Sequence, residues 1–320
     1  MVTEAFASLV GQAQAIALLQ GAVATNRIAP AYLFVGCPGV GRSLAARAFI
    51  ELLLLADIPR QEQPSVQKRL QQGNHPDVLW VEPTYLHRGI RLSAGELEQK
   101  GIQRQGKPQI RLEQIREITR FLSCSPLAAS RQVVVLKQAQ TMAEAAANGL
   151  LKTLEEPGQA TLILIAPSIE SLLPTLVSRC QQIPFYRLTL PKLETVLRQT
   201  GHQEILAHSE ILALAQGSPG KAIASFTQLQ AMPSELLNQL LVPPQTPRQA
   251  LELAKEIDKI LDLQAQLWLL DYLQQSYWQT QTEPVIIQQL EKAKQYLLNY
   301  AQPRLVWEVT LLDLNQALFL

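Results

Sequence analysis

Residues 36–43 read Gly-Cys-Pro-Gly-Val-Gly-Arg-Ser, one residue away from a phosphate-binding loop. That pattern is glycine, four residues, Gly-Lys, then Ser or Thr. Gly36, Gly41 and Ser43 fit it, Gly39 is a further glycine inside it, and Arg42 stands at the lysine position. A glycine-rich turn between a strand and a helix aims several backbone N–H groups at an anion, with the positive helix end behind them. The lysine of the pattern reaches the terminal phosphates as a compact charge. Arg42 keeps the charge but is longer, planar and forked, so the exchange is not conservative. Ser43 retains a hydroxyl of the kind that faces magnesium.

Hydrolysis also needs a carboxylate at the end of a neighbouring strand, where it holds the metal. The candidate strand, Arg131–Leu136, runs into Lys137-Gln138-Ala139-Gln140, with no Asp or Glu. A lysine and two glutamines supply neither the negative charge nor a base for an attacking water. The two defects are independent and both strike hydrolysis, so none is expected of this chain. ATP or ADP is the only cofactor candidate, and the same defects count against it; a plain connecting turn is the alternative. Glu155 and Glu156, about 20 residues beyond that strand, read as solvated or packing residues.

The elements that would position the loop follow from hydrophobic spacing. Ala31–Val35 is an apolar run bounded by Pro30 and Gly36, a buried strand feeding the loop. The helix after the loop runs on through Leu44, Ala45, Ala48 and Phe49. Asp77–Val81, Arg131–Leu136, Thr161–Ile165 and Gln182–Tyr186 read as further strands. Ile115, Ile118 and Leu122 stand at helical spacing. Thr141 and Glu144 match a capping box for a helix carrying Ala147, Leu150, Leu151 and Leu154 on one face and stopped by Pro157. Strands alternating with helices imply a parallel sheet covered on both faces.

From about residue 190 only helical patterns remain. Pro243, Pro244 and Pro247 mark a linker, followed by amphipathic stretches over roughly 248–277 and 283–300 and a last one from Arg304. Three domains are expected: an α/β domain over 1–188, a small helical domain over 189–242 and a helical C-terminal domain over 243–320.

Composition narrows the partners. The chain has 320 residues, 47% hydrophobic and 17% charged, with net charge +1, so it is folded and carries no strong field for nucleic acid. Cys37, Cys124 and Cys180 are too scattered for a zinc cluster or a disulfide framework. The apolar stretch Ile50–Ala56 is interrupted by Glu51 and falls well short of the roughly 20 residues that span a bilayer. With no signal-peptide order at the start, a cytoplasmic protein without membrane contact is expected. His75 reads as a turn and strand-start residue, and Trp268, Trp278 and Trp307 as core or subunit-contact residues. No interleaving of basic and aromatic residues marks a groove for single-stranded nucleic acid.

Several segments together resemble one family. They are Gly36–Ser43, the helix Ala-Ala-Ala-Asn-Gly-Leu-Leu-Lys-Thr-Leu-Glu-Glu-Pro over 145–157, the triplet Ser178-Arg179-Cys180, Asn74-His75-Pro76-Asp77 and Gly217-Ser218-Pro219-Gly220-Lys221. The chain resembles the subunits of the bacterial sliding-clamp loader, of the AAA+ ATPase type, over nearly all of residues 5–225. The resemblance implies a P-loop parallel-sheet domain, a helical lid and an all-α collar. It implies that Arg179, with Ser178 and Cys180, acts in trans as an arginine finger on a neighbouring subunit's ATP. It places Lys221 at the second sensor, where the family has arginine, and Ala166-Pro167, with Ser168 nearby, where the family has a polar sensor. Arg42 and Lys137–Gln140 favour the non-hydrolysing type of subunit within the DNA polymerase III holoenzyme. The partners implied are motor subunits and a delta subunit in a heteropentamer, and, through the complex, the sliding clamp and primed DNA. The family's four-cysteine zinc module has no counterpart, since 57–110 holds no cysteine. An ATP-hydrolysing motor subunit and a non-replicative AAA+ scaffold or adaptor are the alternatives.

Overall fold

Short runs of consecutive apolar residues can bury both strand faces at once, and this chain pairs them into a parallel sheet. The computed structural model describes residues 5–56, 58–59, 61–102, 106–156, 158–280 and 284–317. It divides into two compact units, Met1–Leu188 and Thr189–Leu320.

The first unit holds β1 (Ala31–Val35), β2 (Val78–Val81), β3 (Tyr85–His87), β4 (Ile90–Leu92), β5 (Gln132–Leu136), β6 (Ala160–Ala166) and β7 (Gln181–Pro184). Its helices are α1 (Ala13–Ala24), α2 (Arg42–Leu55), α3 (Gln63–Gln71), α4 (Ala94–Gln99), α5 (Leu112–Leu122), α6 (Glu144–Glu155) and α7 (Pro174–Val177). Five strands form one sheet in the order β2-β5-β6-β1-β7, every neighbouring pair parallel. The three inner strands are the most apolar, and β5 and β6 are buried along their whole length. Alternate residues of β1 serve opposite faces. Tyr32 and Phe34 join α1 and α2 in one core, while Ala31 and Leu33 join α5 and α6 in the other. Each fully buried Leu or Phe contributes about 1.5–3 kcal/mol, so a charge at Leu33 or Leu164 would unseat the sheet.

One sequence expectation for this unit is corrected. Thr141 does not cap α6. It lies in a 3-10 turn, its hydroxyl donates to the Gln138 carbonyl at 2.8 Å, and α6 starts from Ala143 without a side-chain cap. The cause is Gln138, whose left-handed backbone (φ 51°) inserts that turn after β5. A Ser-Glu capping box forms instead at Ser93 with Glu96, at the start of α4. Pro157, expected to stop α6, lies outside the described residues.

The second unit is all helical: α8 (Leu190–Gln199), α9 (Ser209–Ala215), α10 (Pro219–Ala231), α11 (Ser234–Leu240), α12 (Pro247–Ile260), α13 (Leu263–Thr280), α14 (Pro284–Leu298) and α15 (Pro303–Ala317). The stretch expected as one helix over 248–277 is two. Asp262 breaks it, its carboxylate accepting the Ala265 N–H at 2.8 Å as a helix cap. Trp307 is fully buried and donates to Gln266 Oε1 at 2.9 Å, whereas Trp278 is exposed. Among the described residues no helix is long and apolar enough to cross a membrane.

Candidate functional site

The glycine loop lies where β1 meets α2. Its backbone is bent around close neighbours. A Cβ on Gly36 would stand 2.3 Å from the Phe185 carbonyl oxygen, an overlap no side chain tolerates. Gly41 has φ 105°, a left-handed conformation that favours glycine, and it starts α2. Gln12 ties the loop to the strand alongside. Its amide donates to the carbonyls of Val40 (3.2 Å) and Tyr186 (2.7 Å), and its Oε1 accepts the Tyr186 N–H at 3.0 Å. Nothing in the sequence pattern singled out Gln12; its partners are remote in sequence.

Arg42 does not extend as the lysine of the pattern does. Its Nη1 donates to the carbonyl of Ala166, the last residue of β6, which also accepts the Gly36 N–H at 3.3 Å. Desolvation by burial lowers the Arg42 pKa from its ordinary value. Ser43 is exposed at the start of α2, and Gly39 is exposed in the loop.

At the end of β5, Lys137 pairs with Glu82 and lies 5.2 Å from the centre of the Trp80 ring. Glu82 follows β2, so the carboxylate near this edge belongs to the outermost strand and is already matched by a cation. β5 itself ends without one. An arginine engaged by Ala166, and a strand end carrying lysine and glutamine, do not fit the needs of a magnesium-bound triphosphate.

Arg179 sits in the turn between α7 and β7. Its Nη1 donates to the Thr175 carbonyl at 3.0 Å and to Ser178 Oγ at 3.5 Å, and its Nη2 to Glu155 Oε1 at 2.7 Å. Its side chain is 38% exposed and that of Glu155 52% exposed. Glu155, expected to be solvated or a packing residue, is exposed and is also half of an ion pair with Arg179. Ser178 is exposed and donates to the Thr175 carbonyl at 3.1 Å. Cys180 is half-buried, and burial pushes its thiol up to about 11.

The charge in Asn74-His75-Pro76-Asp77 is structural. Asp77 is 1% exposed, and its carboxylate accepts the N–H groups of Leu127 (2.7 Å), Ala128 (2.7 Å) and Ala129 (2.9 Å). His75 is buried, with Nδ1 accepting the Asp77 N–H at 3.2 Å, and desolvation lowers its pKa. Lys221 belongs to the second unit, in the first turn of α10, where its N–H is capped by Ser218 at 3.2 Å. There it lines a cleft of about 400 Å³ with Gln274, Trp278 and the Asp271–Lys294 ion pair.

Comparison with known proteins agrees with this architecture. Residues 11–189 match the family described as DNA polymerase III, delta subunit, and residues 191–314 match the cyanobacterial DNA polymerase III delta prime C-terminal domain. DNA polymerase III subunit delta' of Bacillus subtilis (strain 168) is 28% identical over 216 residues, which is 66% of this chain and 58% of that protein. Its counterpart in Pseudomonas aeruginosa PAO1 is 32% identical over 199 residues, 60% of this chain and 54% of that protein. The alignments thus span between half and three fifths of those relatives. A DNA polymerase III gamma subunit-related protein from Thermotoga maritima MSB8 superposes with a TM-score of 0.51 at 18% identity, covering 95% of this chain and 99% of that one. That likeness concerns the fold alone, a five-stranded parallel α/β domain followed by helices. From the family match over 11–189 and the matching C-terminal domain, the chain belongs to the DNA polymerase III delta-prime family.

Proposed function

We propose that this chain is a non-hydrolysing, delta-prime-type subunit of a DNA polymerase III clamp loader. It assembles with motor subunits and a delta subunit in a five-membered ring, and the assembly places the sliding clamp on primed DNA during replication. Its own loop turns over no ATP. Its contribution to chemistry is Arg179, delivered to the ATP of an adjacent motor subunit.

The contrast between two arginines carries this reading. Arg42, at the position that would serve the chain's own nucleotide, is taken up by the Ala166 carbonyl. Arg179 stands in an exposed turn, and among the described residues its bonds to Thr175, Ser178 and Glu155 leave its Nε–H and a second Nη2 proton over. A planar fork of this kind stabilises the charge that spreads over a transferring phosphoryl group. The helices of the second unit serve as lid and collar, with Lys221 at the second-sensor position of the lid.

The test is ATP turnover by the chain alone and by the reconstituted loader. The expected results are none in the first case, and in the second a rate lost on Arg179→Ala at the site it serves, with assembly intact by size-exclusion chromatography. Metal-dependent turnover by the chain alone, abolished by Ser43→Ala, overturns the proposal. So does an assembled loader whose rate ignores Arg179.

A further inference from the structure

We infer that Glu155 is a positioning residue for the Arg179 finger: its carboxylate holds the guanidinium in the orientation in which the neighbouring subunit's phosphates meet it. This inference rests on the reading of Arg179 given above.

Glu155 is the last residue of α6, and Glu156 follows it. Carboxylates are unfavourable at a helix C-terminus, where the backbone dipole already presents negative charge. A local rule broken in this way points to a functional demand at the same place. The demand is visible 24 residues further on. Arg179 Nη2 lies 2.7 Å from Glu155 Oε1, and Nη1 lies 3.0 Å from the Thr175 carbonyl. The two anchors come from different elements, the end of α6 and the turn of α7, and together they fix both the position and the plane of the guanidinium. Each uses one terminal nitrogen and neither uses Nε. Among the described residues the arginine therefore keeps its Nε–H and an Nη2 proton for a phosphate while its long stem is held still.

Holding the stem matters because a free arginine loses rotamer freedom when it docks, and a group fixed beforehand avoids that loss. Catalytic groups are also sensitive to placement; an error of about 1 Å can cost on the order of 10²-fold in rate. A surface ion pair has little value for stability. The same pair can govern a rate, because what it controls is the direction of the finger.

The experiment uses the full chain in a reconstituted loader in which only the motor subunit beside Arg179 retains its ATP site. Arg179→Ala is expected to lower kcat by about 10³-fold, as for other arginine fingers. Glu155→Ala is expected to lower it about 10–100-fold with KM for ATP unchanged, since binding survives and orientation does not. Glu155→Gln, which keeps an acceptor oxygen, recovers part of the loss. The double variant is no slower than Arg179→Ala alone, because Glu155 acts only through the arginine. In the free chain, the Arg179 side-chain NMR signal sharpens toward that of a mobile arginine on Glu155→Ala while thermal unfolding stays in place.

A kcat that is unchanged or raised by Glu155→Ala, with Arg179→Ala still slow, overturns the positioning role and leaves the finger standing. Additive losses in the double variant also overturn it. An Arg179→Ala rate equal to the parent overturns both.

Discussion

Asp77 offers the sharpest test of how the first unit holds together. It is buried one residue before β2, and its carboxylate gathers three successive N–H groups from residues 127–129, 50 to 52 positions away. Oδ2 accepts from Ala128 and Ala129, and Oδ1 from Leu127. Asp77→Asn can keep its carbonyl oxygen on the two-donor side, but its NH₂ then faces the Leu127 N–H, donor against donor. One charged bond is lost and one clash is added, at about 2–3 kcal/mol. Asp77→Ala loses all three bonds. Leu127 and Ala128 are exposed, so water recovers part of that loss, and about 3–5 kcal/mol remains. For a unit of this size each kcal/mol shifts Tm by about 2–4 °C, so Asp77→Asn should lower Tm by about 4–12 °C. Fluorescence of Trp80, in the adjacent strand β2, follows the unfolding, and hydrogen exchange at the amides of residues 127–129 reports the loop directly. A Tm within about 1 °C of the parent, with those amides still protected, would refute the assignment of Asp77 as the clamp on this loop.

Three further outcomes follow from the same geometry. Cys180 is held up to about 11 by burial, so the folded state favours its thiol; this contribution is complete below pH 9.0, the ordinary thiol value, and fades as pH climbs toward 11. Mass spectrometry after alkylation at pH 8 should find Cys124, which is exposed, modified well before Cys180, and equal rates would contradict this. Arg42→Lys should leave the chain alone without metal-dependent phosphate release, because the end of β5 still lacks a carboxylate; turnover in that variant would show that the lysine was the only deficit. Gly36→Ala forces an atom to within 2.3 Å of the Phe185 carbonyl and should cost at least about 2 kcal/mol in urea unfolding, with or without added ATP; an unaltered midpoint would contradict the close approach.

The inner sheet was legible because strands buried on both faces read as unbroken apolar runs. Ala31–Val35 appears with the expected bounds, and β5 and β6 within one residue of theirs. The edge strand β7 is less regular: the sequence favours 182–186, the structure pairs 181–184. Periodicity also ran straight through Asp262, since a capped break of two residues hardly disturbs an amphipathic pattern. The pairings that matter at the site were illegible for another reason. Glu155 finds Arg179 only once β6 and α7 have brought the chain back, and Asp77 meets residues 127–129 only across the sheet. Residue type left Glu155 as a solvated or packing residue and Asp77 as the start of a strand, and topology alone supplied their partners.

The glycine loop raises the question of what its glycines do apart from any nucleotide. Packing answers it without nucleotide. Gly36 passes against the Phe185 carbonyl, Gly41 takes a left-handed turn with Leu9 close by, and Gln12 bonds Val40 to Tyr186 across the same junction. The loop is thus a joint between β1, α2 and the end of β7. Substituting its glycines would strain the joint by steric overlap, whereas the Arg42 guanidinium is taken up by the Ala166 carbonyl. Phosphate chemistry and backbone geometry therefore place separate demands on the same eight residues. The turn that carries Arg179 leads directly into β7, which pairs with β1. Whatever fixes β7 therefore also fixes the turn from which Arg179 projects, so a stiff joint on that side serves the proposed role of this arginine whether or not the loop holds nucleotide.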